Sequence, residues 1–96
     1  MVYIRGHRAD YDAWAEAGCK GWSYDEVLPY FKKSETNSDR SLDSQWHGTD
    51  GELSVSNLRD PNPMDQVFID AASELQIRSC DDFNSPEPEG LSLIHI

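Results

Sequence analysis

Histidines are the residues of this sequence whose type could carry acid–base or metal chemistry, and there are three: His7, His47 and His95. His7 stands three positions before Asp10, and His47 stands three positions before Asp50. A metal site needs three or four converging ligands, usually with a second pair at matching spacing. Neither pair has such a companion in the sequence, so we predict no metal site at either.

Other reactive residues give no sign of a complete active site. The sequence holds neither the G-x-S-x-G nucleophile motif nor the G-x-G-x-x-G dinucleotide motif. Asp81 and Asp82 are adjacent, so in an extended chain they point to opposite faces and cannot converge as an acid–base pair. Cys19 and Cys80 form no C-x-x-C pair, and we predict two free thiols while leaving a disulfide open.

The composition excludes several classes of function. The chain has 96 residues, with 18 acidic against 8 basic side chains and a formal net charge of −10. Nucleic acids and anionic membrane surfaces bind clustered Lys and Arg, so neither is a predicted partner. No apolar run approaches the ~20 residues of a membrane span, and the N-terminus lacks the layout of a signal peptide. We predict a cytoplasmic protein, with membrane association of a full-length enzyme left open.

Two helices are predicted in the first third of the chain. Apolar residues spaced by three and four predict the first over residues 9–17, ended by Gly18 in a left-handed conformation. Ser23 and Glu26 fit the S-x-x-E capping box that begins a second helix. Pro29 falls inside that helix and removes a backbone donor, which predicts a kink or an early end.

A third helix is predicted to begin after Asn62, a good N-cap, with Pro63 at the first helical position. Its apolar residues recur at helical spacing and form one stripe. These residues are Met64, Val67, Phe68, Ala71, Ala72 and Leu75.

The rest of the chain is predicted to be mostly loop. Residues 32–50 are polar and turn-rich and predict a long surface loop, in which Trp46 has no structural role assigned. Residues 53–55 alternate in polarity and predict a half-exposed strand without a visible partner, and residues 78–90 predict coil. We therefore predict an α+β segment with three short helices, one or two short strands, long loops and no complete domain.

Several segments, in the same order along the chain, resemble the glucose–methanol–choline (GMC) oxidoreductase family. Residues 1–7, MVYIRGH, resemble its M-x-Y-x-R-G-H run, and residues 21–31 resemble its GWSYDDVLPYF segment. Residues 47–55 resemble its HGxxGPLxV segment, with a glutamate where proline is common. Residues 81–90 resemble its DFN…EG stretch. Because four segments agree in order, the resemblance is far more specific than one short motif.

The resemblance implies an FAD-dependent enzyme of the alcohol or choline dehydrogenase type, which passes a hydride from a small-molecule alcohol to flavin N5. In that family the segment at Met1 and Val2 passes close to the isoalloxazine ring, so these two residues are the predicted cofactor contacts. His47 and Gly48 are predicted to form a structural turn. The family's dinucleotide motif lies upstream of the matching stretch and its catalytic histidine lies downstream. No histidine here matches that position, so this piece alone is predicted to be inactive.

The two ends of the chain are predicted to differ in origin. Residues 1–90 are predicted to be part of the N-terminal, FAD-binding region of a larger α/β flavoenzyme. Residues 91–96, LSLIHI, depart from the family pattern and read as the translation of a transposon-end sequencing adapter, CTG TCT CTT ATA CAC ATC. Re-sequencing the locus would remove that hypothesis if native codons continue into the family's next segment.

An alternative without catalysis is a standalone acidic interaction module. In that hypothesis the apolar stripe of residues 64–75 docks into a partner groove. It predicts a chain that unfolds cooperatively without FAD. The order of the family-like segments favours the enzyme, because such an order rarely arises by chance.

Overall fold

The computed structural model describes residues 2–93. Within that range the chain forms three helices and two short strands, which confirms the predicted element content. In chain order they are α1 (Arg8–Glu16), α2 (Tyr24–Ser34), β1 (Glu35–Asn37), β2 (Leu53–Val55) and α3 (Pro63–Glu74). The elements divide between two compact units. The continuous unit is Arg5–Ser56, and the split unit is the described part of Met1–Ile4 together with that of Asn57–Ile96.

Helix α1 of the continuous unit begins and ends close to the predicted bounds. The His7 side chain caps its N-terminus by accepting from the Ala9 N–H at 3.1 Å. Gly18 follows its end with φ at +102°, the left-handed conformation predicted for it. His7 therefore has a structural role in capping the helix.

Helix α2 starts with the predicted capping box. The carboxylate of Glu26 accepts from the Ser23 N–H at 3.1 Å and from its hydroxyl at 2.6 Å. Pro29 does not end the helix, which continues to Ser34. Helices α1 and α2 pack through aromatic rings, with the centroid of Tyr11 lying 5.8 Å from that of Phe31.

Strand β1 corrects the prediction of one long loop over residues 32–50. Helix α2 takes the first three of these residues, and β1 then pairs in parallel with β2, Glu35 opposite Leu53 and Asn37 opposite Val55. The expectation that the strand at residues 53–55 lacks a partner is therefore also wrong. The strand escaped prediction because its two buried positions, Glu35 and Asn37, are polar.

The split unit contains α3, whose predicted start is confirmed. The Asn62 side chain accepts from the Met64 N–H at 3.0 Å, and Pro63 is the first helical residue. The buried residues of the helix are Ile69 and Ala72. Most of the predicted apolar stripe is exposed, namely Met64, Val67, Phe68, Ala71 and Leu75. The face of α3 that is buried within its unit therefore differs from the predicted stripe. Of the buried residues of the helix, Ala72 belongs to the stripe and Ile69 does not.

The predicted coil of residues 78–90 returns on itself. Ser79 forms an isolated parallel bridge with Leu91, and the N–H of Cys80 donates to the Leu91 carbonyl at 2.8 Å. Cys80 is buried and Cys19 is exposed, and both are free thiols. That residues 91–96 are not native stays a prediction, and residues 94–96 lie outside the described part of the chain.

Candidate functional site

The described part of the segment predicted to contact the cofactor exposes apolar side chains. Met1 lies outside the described residues, so the structure gives no position for it. Val2 is 52% exposed to solvent, and Ile4 is exposed as well. Neither belongs to β1 or β2. Val2 and Ile4 therefore leave apolar surface open on this segment.

Asn84 of the split unit holds this segment at Tyr3. The side-chain amide of Asn84 donates to the backbone carbonyl of Tyr3 at 3.1 Å across 81 residues of sequence. Asn84 is itself buried. Sequence reasoning placed Asn84 in a family-like segment but gave it no role, because the bond joins residues from opposite ends of the chain.

Arg5, the next residue after Ile4, is buried in the continuous unit. Its Nη1 donates to the carbonyl of Trp46 at 2.6 Å, and its Nη2 pairs with the carboxylate of Glu35. The guanidinium also lies 5.4 Å from the ring centroid of Phe31, within cation–π range. Trp46, for which the sequence suggested no role, therefore supplies a backbone acceptor to this buried cation.

The carboxylate of Glu35 is the centre of this cluster and is 0% exposed. Besides Arg5, it accepts from the Asn37 side chain at 3.0 Å and from the Gly48 N–H at 3.1 Å. The Nδ1 atom of His47 lies 3.0 Å from Glu35 Oε1. A charge buried this deeply is stable only when paired and hydrogen-bonded, and both conditions hold here.

Two opposed effects set the acidity of Glu35. Burial raises the pKa of the Glu35 carboxyl, because desolvation disfavours the charged form. The hydrogen bonds that it accepts and the guanidinium charge of Arg5 outweigh burial, so the pKa of Glu35 lies below its ordinary value. The carboxylate is therefore held ionised, as a fixed acceptor.

The loop from His47 to Gly51 packs directly on the end of α2 and the start of β1. A Cβ atom at Gly48 would overlap the carbonyl oxygen of Lys32 and lie 2.6 Å from that of Glu35. A Cβ at Gly51 would overlap the backbone of Ser34. The two glycines of the H-G-x-x-G pattern are thus required by close backbone approach. With His47 bonded to Glu35, these contacts show His47 and Gly48 packing this loop against α2 and β1, while the turn lies at residues 44–46.

Residues 2–93 hold no group of three His, Cys, Asp or Glu side chains placed to bind a metal ion. No helix in the same range is long and apolar enough to cross a membrane. His95 lies outside the described residues.

The sequence matches the family model described as GMC oxidoreductase over residues 1–95. It is 45% identical over 96 residues to an alcohol dehydrogenase [acceptor] of Pseudomonas putida, covering 17% of that protein. It is 41% identical over 90 residues to an oxygen-dependent choline dehydrogenase of Brucella anthropi, covering 94% of this chain and 16% of that protein. The chain thus spans about a sixth of the length of the curated relatives it matches.

Solved structures agree with the sequence matches. The fold superposes on the crystal structure of pyridoxine 4-oxidase from Mesorbium loti with a TM-score of 0.79 and 34% identity, covering 94% of this chain and 18% of that one. An FAD-dependent oxidoreductase from Chaetomium thermophilum matches with a TM-score of 0.71 and 34% identity, covering 80% of this chain and 15% of that one. By sequence and by fold, the chain belongs to the GMC oxidoreductase family, whose members are in general FAD-dependent.

Proposed function

We propose that this chain is part of an FAD-dependent oxidoreductase that oxidises the CH–OH group of a small alcohol, and that Met1 and Val2 form the edge of its flavin site. Two of the matching relatives are named for alcohol and choline, and one matching structure is named as FAD-dependent. The observation that carries the proposal is the exposed Val2 on a segment that Asn84 anchors at Tyr3.

The residues of this segment fit the ring of the flavin but not its pyrophosphate. Val2 and Ile4 offer exposed apolar surface, as a planar ring requires. A pyrophosphate is held by a glycine-rich turn at a helix N-terminus, and no G-x-G-x-x-G occurs in the 96 residues. We therefore assign this chain the edge of the cofactor site only.

The part of this chain in catalysis is positioning rather than proton transfer. When bound, FAD would accept the hydride from the alcohol carbon. The chain would shape the surface beside the ring through Val2, and we assign none of its side chains a catalytic role. By itself the chain is proposed to be inactive. The alternative of a standalone interaction module finds no support among the relatives, which are oxidoreductases.

A hybrid enzyme tests the proposal. In it, residues 2–90 of this chain replace the aligned segment of the Pseudomonas putida alcohol dehydrogenase, which is 45% identical. We expect the purified hybrid to bind FAD and to bleach its absorbance when choline or an aliphatic alcohol is added without oxygen. Val2→Asp is expected to weaken FAD binding about tenfold or more, because a desolvated, unpaired carboxylate costs several kcal/mol.

A matched variant shows whether the effect is specific to Val2. Leu58 lies in the same unit and is 53% exposed against 52% for Val2, so Leu58→Asp adds the same charge at an equally exposed apolar residue. We expect it to leave FAD binding unchanged within about twofold, as surface substitutions usually do. A hybrid that binds no FAD, while the parent enzyme does, would overturn the proposed function.

A further inference from the structure

The peptide group that joins Tyr3 to Ile4 accepts a hydrogen bond from a side chain 81 residues away in the sequence. The Asn84 amide donates to the Tyr3 carbonyl at 3.1 Å, and both residues belong to the split unit. The Tyr3 carbonyl belongs to the peptide that joins Tyr3 to Ile4, so this bond restrains the orientation of that peptide. Because Val2 is bonded to Tyr3, the bond ties the segment that carries Val2 to the turn that carries Asn84.

Asn84 is aimed by a turn that is itself fixed. The Asn84 N–H donates to Asp82 Oδ1 at 2.8 Å, and the Ser85 N–H donates to the Asp82 carbonyl at 3.3 Å. The thiol of Cys80 donates to the same carbonyl at 3.3 Å. The turn therefore presents the Asn84 amide in a set direction rather than on a mobile loop.

We infer that Asn84 is a positioning residue for the flavin-contacting segment, acting through its hydrogen bond to the Tyr3 carbonyl. The inference rests on the proposed function, since it takes Val2 as a flavin contact. Asn84 would act on a bound cofactor through the backbone of Tyr3 and Val2. Its side-chain amide holds the segment at the Tyr3 carbonyl.

The hybrid enzyme allows a direct test by Asn84→Asp. A carboxylate has the shape of the amide but can only accept, so it cannot donate to the Tyr3 carbonyl. We expect the dissociation constant of FAD, measured by titrating the apoenzyme, to rise about twofold to thirtyfold, the range for mutations that act on a site through neighbouring groups. We also expect the visible circular dichroism of bound FAD to change, because the ring's surroundings change. Asn84→Ala removes the same donor without adding charge and should give the same direction of change.

Two control variants in the same unit separate positioning from stability. Asn62→Asp adds the same charge and keeps its helix cap, since Asn and Asp cap equally well. Ile69→Ala removes buried apolar groups and lowers stability without touching the bond to Tyr3. We expect neither control to alter the circular dichroism of bound FAD, although Ile69→Ala should lower the unfolding temperature at least as much as Asn84→Asp.

Three outcomes would overturn the inference. One is an unchanged FAD signal in both Asn84 variants while Val2→Asp does change it, which would leave the proposed function standing. Another is a change in Ile69→Ala as large as that in Asn84→Asp, which would make the role of Asn84 one of stability alone. The third is loss of the folded protein in both Asn84 variants, which would likewise make the role of Asn84 one of stability alone. A hybrid that binds no FAD before any substitution would instead contradict the proposed function.

Discussion

Alanine in place of Gly48 is expected to destabilise the continuous unit by at least about 3 kcal/mol, the upper end of the usual cost of overpacking. The new Cβ would overlap the Lys32 carbonyl and lie 2.6 Å from that of Glu35. Both are backbone atoms, so no rotamer change can make room. In the hybrid enzyme, amide hydrogen exchange in peptides spanning α2 and β1 should become faster by about a hundredfold or more.

Gly18→Ala is the matched control for Gly48→Ala. Gly18 has φ at +102° but nothing within 4 Å of a Cβ built on it, so alanine there meets only backbone strain. That strain costs about 1–2 kcal/mol and should speed exchange only near the end of α1. If Gly48→Ala and Gly18→Ala gave equal, small effects, the close approach at Gly48 would be refuted.

Glu35→Gln is expected to destabilise the same unit by about 3–5 kcal/mol, the usual effect of removing one partner of a buried ion pair. The variant leaves the Arg5 guanidinium buried without its counter-charge. It also places the NH2 group of glutamine where a carboxylate oxygen of Glu35 accepts a hydrogen bond, from the Asn37 amide or from the Gly48 N–H. Hydrogen exchange in peptides covering β1 and the loop from His47 to Gly51 measures the change.

Glu52→Gln is the control: it removes an equal charge from an exposed position of the same unit and should change stability by less than about 0.5 kcal/mol.

The pH dependence of stability gives a second, independent test of the role of Glu35. The pKa of Glu35 in the folded state lies below its ordinary value of 4.5. The ionised carboxylate therefore contributes to the free energy of unfolding above pH 4.5, and this contribution is lost as the pH falls through the lower pKa of the folded state. Glu35→Gln should remove this acid-sensitive part. Equal stability and equal acid sensitivity of the two variants would contradict the role given to Glu35.

Local signals predicted the helices well. The capping box of Ser23 and Glu26, the cap at Asn62 and the left-handed Gly18 are all confirmed, and each depends on residues at most four positions apart. Such interactions are visible in a sequence because neighbours along a helix are also neighbours in space. Of the two outcomes predicted at Pro29, the early end does not occur, because α2 continues to Ser34.

Strand β1 could not be predicted because its burial depends on distant partners. Glu35 and Asn37 are polar, and the periodicity used to predict strands expects apolar residues at buried positions. The charge of Glu35 is compensated by Arg5, 30 residues earlier, and the Glu35 carboxylate also contacts Nδ1 of His47, 12 residues later. The available signal was the glycine pair of H-G-x-x-G, whose spacing indicates close backbone approach.

The resemblance singled out Met1 and Val2, and Val2 is exposed on an anchored segment. The bond from Asn84 to Tyr3 joins the two ends of the chain, and no local pattern could predict it.

A crystal structure of the hybrid enzyme with FAD bound would show directly whether this chain forms the edge of an FAD site. We expect the isoalloxazine ring to lie within van der Waals distance of Val2, about 4.5 Å or less between heavy atoms. We also expect the Asn84 amide still to donate to the Tyr3 carbonyl. A bound ring that touches neither Val2 nor the residues on either side of it would contradict the assignment of the chain to the flavin edge.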